Sequence, residues 1–337
     1  MKIAISSFGV RGGELHFLRK SIEALAALRP GPEMLVLAGE GDARDIRGAE
    51  VVPIASAAQA GLAARRAGAD LLFAGIDNGA LDAGLPVALN IMQLYDLRQA
   101  GSGKSLFAAS PLRAAKVIAA QARAVAVPSE FMKREVLEVL GVTLDRIVVA
   151  PLGVDEAFAE PHATIVEKPY FLFVGRISER KNIPVLLEAF RRVQDDMPHS
   201  LLIVGEPGID EPESWGPRIV RIDRVGTAQL AGLYQHADLV LSPSSYEGSG
   251  VLALEALKAG ARVAVGRVGG IHEVAGDAPL YIVPDNVDSV TGMMRRAVTE
   301  NTADRERRAK LGKQLSTGWS WEKTARQLMS AFRKATG

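Results

Sequence analysis

Four side chains in the second half of the chain combine charge, spacing and setting in a way that implies chemistry. Glu247 and Glu255 stand in "SYEGSGVLALEALKAG", residues 245–260, the first in a glycine-broken loop and the second inside an almost wholly apolar helical pattern. Arg176 and Lys181 follow an apolar strand pattern in "YFLFVGRISERKN". A carboxylate withdrawn from water without partners is costly, so Glu255 either faces water or accepts hydrogen bonds from something specific. Ribose hydroxyls are natural donors to it. Glu247, one loop earlier, is placed to accept from sugar hydroxyls and to offset positive charge developing on a sugar. Two cations at the entry to a helix, with unpaired amides and the helix dipole behind them, make an anion site that suits a diphosphate. Gly248 and Gly250 lack a Cβ and let backbone N–H groups approach a phosphate at the start of the next helix. Each reading has a plainer one beside it: Arg176 paired with Glu179 and Lys181 on a solvated face, Glu255 capping a neighbouring loop, Glu247 a surface acid.

Such residues need a scaffold that brings loops together, and the hydrophobic pattern describes one. Short β-branched runs alternate with longer helical patterns in both halves, the rhythm of parallel sheets with helical crossovers. The first half offers "KIAISSF", "EMLVLAG", "VVPIA", "DLLFAG", "PVALNIM", "ARAVAVP" and "RIVVAP" as strands. "GELHFLRKSIEALAAL", "SPLRAAKVIAAQA" and "SEFMKREVLEVLG" read as helices, the last capped by Ser129 and stopped by Gly141. Periodicity lapses over "GVDEAFAEPHATIVEKP", the expected linker. A second series follows: "YFLFVG", "SLLIVG", "RIVRID", "DLVLSPS", "ARVAVG" and "LYIVPD". The expected domains are 1–160, 161–317 and a terminal helical segment, 318–337, carrying Trp319 and Trp321. Two open α/β domains joined once create a cleft, with ligand crevices at the strand carboxyl ends.

Composition narrows the function class. A chain of 337 residues exceeds the usual reach of one core, and 48% hydrophobic with 23% charged residues is ordinary for a folded domain. There is no cysteine, which removes disulfides, thiolate metal sites and cysteine nucleophiles and fits a cytoplasmic setting. A formal charge of +1 gives no global pull toward nucleic acid. The opening "MKIAISSFGVRGG" is too short in its apolar run for a signal peptide, and no run approaches the roughly 18 residues of a membrane span. The five histidines are scattered and no aspartate pair is separated by one residue, so no metal site is expected.

Taken together and in order, "GVRGGELHFLRKSIEAL", "AVPSEFMKREVLEVLGV", "IVVAPLGVDEAF", "FLFVGRISERKN", "LVLSPSSYEGSGVLALEALKAGARV" and "GGIHEVAGDAPLYIVPDN" resemble the retaining glycosyltransferases of family four. The resemblance covers nearly the whole chain. It implies the GT-B fold, two Rossmann-like domains facing across a cleft with a terminal helix crossing back to the first. It implies that Arg176 and Lys181 hold the donor diphosphate, that Glu247 lies against the donor sugar, and that Glu255 holds the ribose. Gly250 and Val251, with Gly248 and Ser249 in the same turn, fall where amides meet the β-phosphate. Gly12 and Gly13 match the first-domain turn that closes over it, and Val225 lines the base pocket. The implied donor is a nucleoside diphosphate sugar, GDP-mannose first and a UDP-sugar second, with no further cofactor. The implied acceptor is a saccharide or glycolipid.

Two positions depart from that family's pattern. Where a histidine is usual at a first-domain strand end, "NIMQLYDLRQAG" supplies Tyr95 followed by Asp96. A phenol donates a hydrogen bond to a sugar but is a poor proton acceptor at neutral pH, so Tyr95 and Asp96 are acceptor-side candidates only. His272 stands where proline is usual. From Arg98 to Arg134 seven lysines and arginines face one acid, which suits either peripheral contact with an anionic membrane or plain solvated helices. A nicotinamide-dependent oxidoreductase lacks support, since "GVRGGE" does not match the GxGxxG fingerprint. A non-catalytic nucleotide-sugar binder stays open, because Tyr95 is compatible with lost chemistry.

Overall fold

Runs such as "IAIS", "LLFAG" and "YFLFV" are apolar on both faces and too short for helices, so they become strands buried inside parallel sheets covered by helices on both sides. The computed structural model describes residues 1–10, 12–39, 46–76, 84–95, 97, 111–208, 212 and 214–337. These divide into two units, Met1–Gly153 with Ser320–Gly337, and Val154–Trp319.

The first unit contains β1 (Lys2–Ser6), β2 (Glu33–Ala38), β3 (Glu50–Pro53), β4 (Leu71–Gly75), β5 (Val87–Asn90), β6 (Ala124–Val127) and β7 (Ile147–Val149). They form one parallel sheet in the order β3-β2-β1-β4-β5-β6-β7. The mostly exposed β3 lies at an edge, as its weaker apolar pattern requires. Helices α1 (Gly12–Ala27), α2 (Ala60–Arg66), α3 (Pro111–Gln121) and α4 (Glu130–Glu135) connect the strands. Ser129 caps α4, its hydroxyl accepting from the Met132 amide at 3.1 Å, and the chain continues as a wider π-turn over Val136–Leu140 to left-handed Gly141.

The second unit contains β8 (Tyr170–Val174), β9 (Ser200–Val204), β10 (Ile219–Ile222), β11 (Leu239–Ser242), β12 (Val263–Gly266) and β13 (Leu280–Ile282) in the parallel order β10-β9-β8-β11-β12-β13. Its helices are α5 (Ile183–Arg191), α6 (Thr227–His236), α7 (Val251–Lys258), α8 (Ile271–Ala275), α9 (Val287–Thr299) and α10 (Thr302–Ser316). The sheet is sandwiched between two apolar clusters, one containing Tyr234, Leu254 and Leu257, the other containing Phe171, Phe173 and Phe190. In each sheet the chain reverses its direction of travel beside the first strand, between β1 and β4 and between β8 and β11. Such a switch point leaves a crevice at the strand carboxyl ends.

Two expected boundaries shift. The first unit ends at Gly153 rather than 160, and the start of the expected linker is part of the second core, because Val154 and Phe158 are buried there and Phe158 packs on Tyr234 with ring centroids 5.9 Å apart. The terminal helix, α11 (Trp321–Thr336), starts after Trp319. Trp319 packs on the second core, while Trp321 meets His16 and Phe17 of α1 in the first unit. Leu328 and Phe332 of α11 are fully buried, and Phe332 packs edge-on against Phe73 of β4 at 5.1 Å. Among the described residues no helix is long and apolar enough to cross a membrane.

Candidate functional site

The switch point of the second sheet collects the charged residues singled out above. The loop after β8 carries Arg176 and Lys181, and the loop after β11 carries Glu247 and leads into α7. Hydrogen bonds fix these two loops against each other and against the loops after β12 and β13. Asn182 adopts a left-handed backbone, φ 51°, and its side-chain amide donates to the carbonyls of Pro243 at 2.9 Å and Pro284 at 3.2 Å. The Ser245 amide donates to the Arg180 carbonyl at 2.8 Å. Gly270 donates to the Glu247 carbonyl at 2.8 Å, tying in the loop after β12.

Lys181 is buried, not on a solvated face. Its stem passes Gly175, where an added Cβ would lie 3.3 Å from Lys181 Cε, and its ammonium donates to Glu247 Oε1 at 2.5 Å. Glu247 in turn is no surface acid: its side chain is 13% exposed and also receives Arg180 Nη1 at 3.5 Å. Burial works to raise the Glu247 pKa, but Lys181 and Arg180 outweigh it and hold the carboxyl below the usual carboxylate range. Burial lowers the Lys181 ammonium from its ordinary value, with Glu247 opposing the shift. Arg176 is exposed and makes no ion pair among the described residues, with Glu179 or any other acid.

Glu255 sits in the opposite environment. It lies on α7 among Ala253, Leu254, Ala256 and Leu257, partly buried, and accepts one hydrogen bond from the Tyr234 hydroxyl at 3.3 Å. Burial pushes its carboxyl up to about 8; the Tyr234 hydroxyl opposes this and Asp155 adds to it. Glu255 therefore carries a proton at neutral pH while Glu247 is ionised. Two acids on neighbouring turns of chain hold different charge states because one has cations and the other does not.

Gly250 opens α7 in the left-handed region at φ 69°, and a Cβ there would lie 2.7 Å from Val274 Cγ2 and 2.9 Å from Ile271 Cα. The Val251 amide approaches the Ser249 hydroxyl at 3.4 Å, and Gly248 is buried in the same turn. Val225 follows β10 and packs against the second core. Gly12 and Gly13 open α1 in the first unit, Gly12 with φ 57°. Tyr95 follows β5 in that unit, whereas Asp96 lies outside the described residues, as do positions 98–110 of the basic strip. Over the rest of the strip, α3 exposes Arg113, Lys116 and Val117. His272 Nδ1 lies 3.2 Å from the Tyr281 hydroxyl.

Sequence reading missed three residues that set this geometry: Arg180, Asn182 and Tyr234. Arg180 and Asn182 flank Lys181 in "ERKN", where charge and a turn-forming amide were visible. Tyr234 gave no signal, since it lies in a helix distant in sequence from Glu255.

Comparison with known proteins bears on this half of the chain. Residues 168–300 match the family described as glycosyl transferases group 1. O-antigen chain mannosyltransferase B of Escherichia coli is 27% identical over 225 residues, 61% of this chain and 59% of that protein, so the match spans about three-fifths of its length. Sucrose-phosphate synthase from Thermosynechococcus elongatus superposes with a TM-score of 0.80 at 19% identity, covering 99% of this chain and 98% of that one. Anabaena Alr3699/HepE in complex with UDP-glucose superposes with a TM-score of 0.79 at 15% identity, covering 99% of each chain. The two α/β units have the GT-B fold of these structures.

Proposed function

We propose that the chain is a retaining glycosyltransferase that moves a hexosyl group from a nucleoside diphosphate sugar to a saccharide or lipid-linked saccharide. The observation that carries the reading is the Lys181–Glu247 ion pair at the switch point, beside exposed Arg176 and the amides that open α7. Breaking an anomeric bond needs negative charge neutralised on the leaving diphosphate and positive charge offset on the sugar. Arg176, Lys181 and the amides of Gly250 and Val251 do the first, and Glu247 does the second. Glu255 receives the ribose and Val225 the base. The family resemblance adds Gly12 and Gly13 as donor-binding glycines. A donor phosphate oxygen takes the acceptor's proton, so no protein nucleophile is used. The cations supply the charge a divalent ion would otherwise provide, and a chelator leaves turnover unchanged.

GDP-mannose is the first donor proposed, supported by the likeness to an O-antigen mannosyltransferase. A UDP-sugar is the second, supported by the UDP-glucose bound in the Anabaena structure. Tyr95 and Asp96 are the acceptor-side residues, and the basic face of α3 suits a glycolipid acceptor at an anionic membrane. A thermal-shift screen of UDP, GDP and their sugars tests the reading, since a ligand bound only by the native state raises the melting temperature. One of these ligands stabilises the wild type, and Arg176→Ala or Lys181→Ala abolishes the shift while the fold remains. Wild-type shifts in both variants would remove the diphosphate assignment, and binding without any turnover would leave a nucleotide-sugar binding protein.

A further inference from the structure

Glu247 Oε1 is shared by two cations with different attachments. Lys181 reaches it through a flexible four-carbon stem, and its ammonium is the group that the proposed donor diphosphate needs. Arg180 is held at both ends. Its guanidinium Nη1 donates to the Tyr246 carbonyl at 3.1 Å and stands 3.5 Å from Glu247 Oε1. Its own carbonyl accepts from the Ser245 amide at 2.8 Å and the Ser245 hydroxyl at 3.3 Å. Arg180 and Glu247 therefore share the loop after β11 as a common anchor, and Lys181 does not.

We propose that Arg180 is a positioning residue, the permanent counter-ion of Glu247 that frees Lys181 to move from that carboxylate to a diphosphate. The inference rests on the reading of the site as one for nucleoside diphosphates. The side chains of Lys181 and Glu247 are only 6% and 13% exposed, so removing one ion from the other strands a charge with little water to solvate it. A second cation that stays behind lowers that cost. The guanidinium suits the task because one planar nitrogen, Nη1, serves the Tyr246 carbonyl and the Glu247 carboxylate together. Without Arg180, Glu247 retains Lys181 and competes with the phosphate for it.

The test is isothermal titration of the full chain with UDP and GDP, comparing wild type, Arg180→Met, Arg180→Lys, Glu247→Gln and the Arg180→Met, Glu247→Gln double variant. Wild type binds at least one of the two nucleotides. Arg180→Met weakens that binding about tenfold, Arg180→Lys restores it to within about threefold, and Arg180→Met in the Glu247→Gln background changes it less than about twofold, because no carboxylate charge is left to hold Lys181. Circular dichroism monitors the fold, and Arg180→Gln replaces the Met variant if the latter does not fold. Wild-type affinity in Arg180→Met overturns the inference. So does a tenfold loss that persists beside Glu247→Gln, which would mean Arg180 acts on the phosphate or the fold directly. A wild type that binds neither nucleotide overturns the reading beneath it as well.

Discussion

The two acids of the 245–260 stretch differ by environment, not by residue type. Glu255 has a folded-state pKa raised to about 8, against an unfolded value near that of an ordinary glutamate. Between about pH 4.5 and 8 the folded chain keeps a proton that the unfolded chain has lost, so stability falls as pH rises, by up to about 1.4 kcal/mol per unit. Glu255→Gln removes that slope, and denaturant unfolding of both proteins at pH 5, 6, 7 and 8 measures it. An unchanged slope in the variant would contradict the assignment. Glu247 has the opposite sign: its depressed pKa contributes stability above the unfolded value that is lost as the solution is acidified. Both acids were legible in the sequence as charges in unexpected settings. Their protonation states were not, because that of Glu247 depends on Lys181 and Arg180, brought to it by the packing of loop on loop, and that of Glu255 on burial in the packing of helix on helix.

At the level of elements, the strands were the most legible part. "YFLFV" and "SLLIV" cannot be soaked on one face like an amphipathic strand, so they had to lie inside a covered sheet, and the thirteen strand patterns read from the sequence correspond to the thirteen strands observed among the described residues. Strand order was not legible, since apolar runs of similar length do not say which neighbour each takes. That order matters most, because it places the loops after β8 and β11 side by side. The turn into α7 depends on Gly250 more than on any charge. Gly250→Ala forces a left-handed alanine and drives its Cβ into Val274 and Ile271, at a cost of about 2–3 kcal/mol. The expected result is a lower melting temperature together with weakened nucleotide binding, from the same displacement of the Val251 amide. Ser129, by contrast, is an ordinary cap, and Ser129→Ala costs about 1 kcal/mol with nucleotide binding intact.

For the whole molecule, the chain returns to its first unit through α11, which packs against α1 and against the β4–β7 side of the first sheet. Two late tryptophans were visible in the sequence, but only packing assigns Trp319 to one unit and Trp321 to the other. Phe332→Ala opens a cavity beside Phe73 and costs the first unit about 3–5 kcal/mol, which calorimetry reads as a lowered melting temperature. The proposed role of the second unit is to hold a pyrophosphate with cationic side chains and helix amides so that a glycosyl group can leave it. Its most direct test is the slow release of free nucleoside diphosphate from GDP-mannose and UDP-sugars, measured in parallel for wild type and Lys181→Ala at matched folded concentration. Wild type releases nucleoside diphosphate measurably from at least one donor, and the variant loses about a hundredfold or more of that rate, on the order expected for one charge-stabilising group. Equal rates in the two proteins, or no release from any donor, would contradict it.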